Sequence, residues 1–195
     1  MRVIDISQEI LGCRVYEGDP APRVDRLMDM NDGELYNLSA FSMCAHNGTH
    51  IDAPRHFIKD GKTVDEIPLD SFVGTCFVAE YAGDVSAADA ENILSKAVAS
   101  GAGERILLKG KLVVTAEAAE VFARAKIKLL GNESQTVGPE NAPMEVHLIL
   151  LSAEVVLLEG IVLSDVDVGV YTLSAAPLNF RGIEGSPCRA ILIKQ

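Results

Sequence analysis

The chain has 195 residues, 48% of them apolar and 23% charged, which supplies enough material for one substantial core and predicts a single domain over 1–195, or at most two small ones. Its 17 basic residues against 28 acidic ones leave a formal net charge of −11, which repels phosphate backbones and anionic lipid and excludes nucleic acid and membrane as expected partners. The start "MRVIDISQEI" has no apolar core of signal-peptide length, and no apolar run approaches the ~20 residues that span a bilayer, so the expectation is a soluble, cytoplasmic protein.

In chain order, "VIDI" from Val3 reads as a strand, and "AHNGTHIDAPRHF", Ala45 to Phe57, stands out for its histidines. "TCFVAEY" from Thr75 is the next strand. Ser86 then opens "SAADAENILSKAVASG", where Asp89 three residues on makes a capping-box-like start and Gly101 a left-handed stop; this is a helix. "RILLK" from Arg105 is a strand, and "TAEAAEVFARAK" from Thr115 a helix with a Thr cap and a basic last turn. "IKLLG" from Ile127 is a strand, "APMEVHLILLSA" from Ala142 a helix with Pro143 in its first turn, and "VVLLEG" from Val155 and "RAILI" from Arg189 close the series as strands. Strands interleaved with helices give an α/β fold class, with the first eighty residues richer in strand and turn than a doubly wound sheet requires. "SGAGER" lacks the spacing of a dinucleotide or Walker loop. Cys13, Cys44, Cys76 and Cys188 form no C-x-x-C pair and are expected to be reduced.

Three of the four histidines, with an aspartate, fall inside Ala45–Phe57. His46 and His50 have the i, i+4 spacing that aims two imidazoles at one metal on a helix, but Asn47, Gly48 and Pro54 are poor helix residues. In an extended chain His46, His50, Asp52 and His56 are all at even offsets and share a face, subject to the bends at Gly48 and Pro54. Three readings stand on the residues alone: a metal site, a proton-transfer site, and an Asn-Gly hairpin flanked by histidines. Cys44 could add a thiolate to a soft metal site or simply be a small buried residue. A metal needs donors from elsewhere as well, and the chain offers His147 and Glu159; each alone also reads as an ordinary core histidine and a solvated strand end.

"HNGTHIDAPRHF" resembles the H-x-G-T-H-x-D-x-P-x-H-F pattern of the metal-dependent cyclase family, which includes bacterial kynurenine formamidases and isatin hydrolases. The likeness continues in order through "VIDISQEI", "YEGDP", "DGKTVDEIPLDSFVG", "VTAEAAEVFARAKIKLLGNESQTVG", "VHLILLSAEVVLLEG" and "APLNFRGIEGSPCRAILI", with about Ala82 to Val113 aligning poorly. The resemblance implies a swivelling β/β/α domain with a barrel-like mixed sheet core flanked by helices, and a homodimer or homotetramer with active sites near subunit contacts. It further implies that His46, His50 and Asp52 hold one divalent ion, that Asp52 bridges to a second held by His147 and Glu159, and that His56 stays off the metal and moves protons.

Imidazole and carboxylate donors suit zinc, with manganese as the alternative, since no thiolate selects between them. Two dications supply a hydroxide and polarise a carbonyl, so the expected activity is hydrolysis of a small amide or cyclic amide, arylformamidase-like, at a C–N bond other than a peptide bond. Lactam opening as in isatin hydrolases and a non-catalytic metal- or ligand-binding module on the same scaffold are the alternatives. The chain departs from the family in reading Tyr16-Glu17-Gly18-Asp19 where aromatic-Pro-Gly-Asp is frequent, in its short connection "KLVV" into Thr115, and in Glu133 where aspartate is common.

Overall fold

The structure, a computed structural model, describes residues 1–194. Its strands are β1 (Arg2–Asp5), β2 (Arg23–Met28), β3 (Leu38–Ser42), β4 (His50–Asp52), β5 (Val73–Glu80), β6 (Gly83–Val85), β7 (Arg105–Lys109), β8 (Leu112–Val114), β9 (Leu129–Asn132), β10 (Val156–Glu159), β11 (Gly169–Ser174), β12 (Gly185–Pro187) and β13 (Ile191–Lys194). Three helices, α1 (Ala87–Ala99), α2 (Ala116–Arg124) and α3 (Met144–Ser152), join them. The strands and helices expected from the sequence all fall on these elements, to within a few residues at each end.

Nine strands make one mixed sheet in the order β1-β13-β11-β5-β7-β9-β10-β4-β12. Its centre, β5-β7-β9-β10, is parallel. Parallel neighbours need a crossover, and the helices provide one each: α1 between β5 and β7, α2 between β7 and β9, α3 between β9 and β10. Two small sheets, β2-β3 and β6-β8, complete the set.

Alternation along the central strands sends side chains to two separate cores. Ile106, Leu108, Leu130 and Leu157 meet Ala90, Ile93, Ala118, Phe122 and Leu150 of the three helices. Leu107, Leu129 and Leu158 point the other way, together with Val78 of β5, and meet Ile51, Leu173 and Leu192 of the outer strands. A face that packs on strands of its own sheet must be curled, and that curl is the barrel-like core. One backbone bond joins strands that are distant in the sheet order: Val162 N–H, just past β10, donates to Ile6 O, just past β1, at 2.9 Å.

The caps form as the sequence indicates. Asp89 N–H donates to Ser86 Oγ while the Asp89 carboxylate accepts from Ser86 N–H at 3.0 Å, and Gly101 takes φ 71° just past α1. Pro143 stands at the cap of α3 rather than inside its first turn. Among the described residues no helix is long and apolar enough to cross a membrane.

Candidate active site

His50 and Asp52 are two apart on β4, so they share a face, and Ile51 between them is fully buried in the opposite core. Antiparallel pairing with β10 sets His50 directly across from Glu159. The last residue of a buried apolar strand thereby delivers its carboxylate to the histidine motif. α3 lies on the same face of the sheet and lowers His147, itself buried, onto the same edge. After β4 the chain turns through a short 3-10 segment, Pro54–His56, closed by His56 N–H to Ala53 O at 2.9 Å, and this carries His56 back toward the cluster.

The shared extended face therefore holds only for His50 and Asp52. His46 lies in a turn, because Gly48 adopts φ 65°, and His56 lies in the turn that Pro54 initiates. The Asn47–Gly48 turn exists but makes no hairpin: β4 pairs with β10 and β12. Cys44 stands apart from the donor clusters, its Sγ 3.6 Å from Asp19 Oδ2.

The structure brings all six expected residues together. Asp52 Oδ1 is 2.7 Å from His46 Nδ1 and 3.3 Å from His50 Nε2, and Asp52 Oδ2 is 3.6 Å from His147 Nε2. Glu159 lies 3.4 Å from His147 Nε2 and 3.6 Å from His50 Nε2. Two donor triads result, His46-His50-Asp52 and Asp52-His147-Glu159, each with its ligand atoms within 4.8 Å of one another and with Asp52 in both. His50 and His147 each donate Nδ1–H to a main-chain carbonyl, of Gly48 and Pro143 respectively, both at 2.9 Å, which turns Nε2 of each ring inward. Glu159 Oε1 is anchored by Val137 N–H at 2.7 Å. His56 is in neither triad; its ring stacks on His46 with centroids 4.1 Å apart and meets Phe57 edge-on.

Electrostatics follow from burying so many ionisable groups together. Burial opposes protonating His46, but the charge and hydrogen bond of Asp52, aided by Glu184 and Glu159, lift it to about 9. His147 is likewise raised to about 10, burial being outweighed by its bonds to Asp52 and Glu159. Against burial, the surrounding imidazoles hold the Asp52 carboxyl well below the usual carboxylate range, whereas burial and the Asp52 charge push Glu159 up. His56 goes the other way, down to about 4, chiefly through burial and then the neighbouring rings, despite the pull of Asp52. The five donors thus form a pocket that attracts positive charge beside one imidazole that stays neutral.

Does a divalent cation fit? Asp52 Oδ2 and His46 Nε2 are buried without a hydrogen-bond partner, an arrangement that buried polar atoms otherwise avoid. Nitrogen and carboxylate-oxygen donors on rigid elements, with no Lys or Arg among them, are the set a cation of the zinc or manganese type satisfies. The residues fit.

A cavity of about 240 Å³ opens onto the cluster, walled by Tyr16, Asp19, Phe57, Gln135, Thr136 and Pro143 besides the six residues. Tyr16, in the segment where the chain departs from the family, is an aromatic wall of this cavity, held by its hydroxyl donating to Glu140 O at 3.0 Å. Sequence reasoning passed over Glu184 and Gly185. Glu184 Oε1 lies 3.5 Å from His46 Nε2, and a Cβ on Gly185 would overlap the His46 ring. A glycine inside a strand, as in "GIEGSPC", signals such a close approach.

A curled mixed sheet with a buried His/Asp/Glu cluster at the mouth of a small cavity defines the class: a metal-dependent hydrolase. The Cyclase family model matches residues 4–139, and the chain belongs to that family. Kynurenine formamidase of Erythrobacter litoralis (strain HTCC2594) is 33% identical over 208 aligned positions, covering 98% of this chain and 93% of that protein. A predicted metal-dependent hydrolase from Bacillus stearothermophilus is 28% identical with TM-score 0.80, covering 98% of this chain and 97% of the other. Isatin hydrolase A from Labrenzia aggregata, bound to benzyl benzoate, superposes with TM-score 0.84 at 21% identity, covering 100% of this chain and 94% of the other, and shares the fold.

Proposed function

We propose that the chain is an arylformamidase-like amidohydrolase that cleaves a small amide or cyclic amide, with His46, His50, Asp52, His147 and Glu159 as metal ligands and His56 as the catalytic residue. The observation that carries this reading is Asp52: a fully buried carboxylate common to both donor triads, one oxygen without a hydrogen-bond partner, next to a histidine that belongs to neither triad. Two divalent cations held by these triads, zinc or else manganese, would activate water at neutral pH and polarise the scissile carbonyl.

The chain's own side chains supply the rest. Kept neutral, the His56 imidazole accepts the proton that water loses on attacking the carbonyl, and returns it to the departing nitrogen. Phe57 packs against both His56 and His147, its centroid 4.6 and 4.7 Å from theirs, and restricts the movement of both rings. The cavity of about 240 Å³ is smaller than the ~300–1,000 Å³ that accommodates drug-sized ligands, which favours a compact substrate. We place the whole of 1–195 in one cytoplasmic catalytic domain.

The test is hydrolysis by zinc- and manganese-loaded protein across aryl formamides, lactams and small cyclic amides, beside chelator-treated protein. Metal-dependent turnover of at least one compound is expected, with the formamide and lactam arms deciding between the two substrate classes. A fully loaded protein that turns over none of them is a binding module instead. His56→Ala is expected to keep its metal and lose ~10²–10⁴ in kcat.

The same reading extends to assembly as a homodimer or homotetramer. β2 and β3 pair with each other alone, and every residue of β3 is exposed, Phe41 to 66%. A lone two-stranded ribbon is marginal in water and needs a surface to lie on; a second copy of the chain provides one.

A further inference from the structure

His46 is held differently from the other two histidines of the clusters. His50 and His147 each give Nδ1–H to a main-chain carbonyl and turn Nε2 inward. His46 has its Nδ1 against Asp52 Oδ1, at 2.7 Å, so its Nε2 is the outward nitrogen; that atom is buried and has no hydrogen-bond partner. The carboxylate facing it is Glu184, with Oε1 at 3.5 Å and a side chain 42% exposed, free to turn toward the ring.

The neighbouring residue makes this approach possible. β12 pairs with β4 so that Gly185 lies opposite Asp52. Without a side chain there, the His46 ring lies against the strand backbone; a Cβ would come within 2.9 Å of Nε2. On its other side the ring is covered by His56 at 4.1 Å. His46 is thus slotted between Gly185 and His56, with one ring nitrogen toward the cluster and the other toward Glu184.

Resting on the metal-centre reading above, we propose that Glu184 is a positioning residue: its carboxylate accepts the Nε2–H of His46 and so fixes Nδ1, stripped of its proton, as the nitrogen that faces the cation. A ring that coordinates through one nitrogen carries its proton on the other, and a carboxylate acceptor there fixes both the tautomer and the ring orientation. Losing such an outer partner costs ~10–100-fold in metal affinity or activity.

The experiment measures zinc affinity by competition with a chromophoric chelator and reads the His46 tautomer from long-range ¹H–¹⁵N spectra of zinc-loaded protein. In the wild type the proton of His46 is expected on Nε2. Glu184→Ala is expected to bind zinc ~10–100-fold more weakly and to lose the single-tautomer signature. Glu184→Gln, which keeps an oxygen acceptor, is expected to recover the tautomer and most of the affinity. A merely structural role would lower thermal stability and leave the tautomer alone. Zinc affinity and tautomer both unchanged in Glu184→Ala overturn the proposal; a wild-type protein that takes up neither zinc nor manganese overturns the metal-centre reading itself, so the two failures are told apart.

Discussion

At the residue scale, the cluster is built from side chains whose freedom has been removed one by one: two imidazoles by main-chain carbonyls, Glu159 by Val137 N–H, and His46 by the absence of a side chain at Gly185. The last is the most easily disturbed. Adding one methyl group, Gly185→Ala, drives a Cβ into the His46 ring, and neither β12, paired to β4, nor the ring, covered by His56, has room to yield. Because a misplacement of ~1 Å at a reacting centre can cost ~100-fold, kcat/KM of the metal-loaded variant should fall by about that factor. Steady-state kinetics alongside a thermal melt check this, and kcat/KM within threefold of wild type would show that the ring does not depend on this gap. The six residues of the centre were legible in the sequence because their types are chemically costly and their motif spacing is specific. Glu184 and Gly185 were not, since what brings them to His46 is the register of β12 against β4, and register is set by pairing at a distance.

At the element scale, the regular parts followed from local rules and the irregular parts did not. α1 and α2 are bounded by caps that act within three residues, which makes them visible in the sequence; Ser86→Ala should cost about 1 kcal/mol, seen as a lowered urea midpoint at unchanged slope. The strands β4, β6 and β12 have three residues each and no periodicity long enough to recognise. β2 and β3 expose apolar and polar residues alike, which removes the alternation by which strands are read. Glu133, noted where aspartate is common, braces the backbone. Its carboxylate accepts Gly110 N–H and Leu163 N–H, each at 2.7 Å, and so ties the end of β7 to the segment after β10. Glu133→Ala leaves two amides without a carboxylate partner and should destabilise by about 2–4 kcal/mol in the same measurement. At the sheet's end Arg189 donates from Nε (2.9 Å) and Nη2 (2.5 Å) to Asp5 Oδ2, chiefly through which the Asp5 carboxyl lies below its ordinary value. A folded-state pKa below the unfolded one means that the pair's contribution is complete at neutral pH and fades as pH falls through the folded value. Both side chains are largely solvated, so Asp5→Asn should cost under about 1 kcal/mol at pH 7, and the difference from wild type should vanish in strong acid.

At the scale of the whole molecule, the donors come from β4, β10, α3 and the turn before β4, elements far apart in the chain that pairing of β4 with β10 and packing of α3 bring together. Cations bound there tie the folded state together and have no comparable site in the unfolded chain. Zinc at ~100 times its dissociation constant adds about 2.7 kcal/mol, which for a chain of this size raises Tm by ~5–10 °C in calorimetry; no shift on loading would mean that the donors do not close on a metal. Assembly is the other property that belongs to the whole. The β2-β3 ribbon reaches beyond both cores, with Val24 and Phe41 paired across it and exposed at 44% and 66%, over a groove of about 620 Å³ that also includes Leu178 and Pro187. Nothing in the sequence separates that arrangement from a ribbon folded back on its own chain, because the apolar content is the same in both. If a second copy covers the ribbon, the contact is made twice about a two-fold axis, and a charge introduced into it acts twice. Val24→Glu combined with Phe41→Glu should therefore convert an assembly of two or more chains into single chains in light scattering, with the far-UV spectrum preserved. A wild-type protein that runs as one chain at micromolar concentration would remove the second copy as the partner of the ribbon.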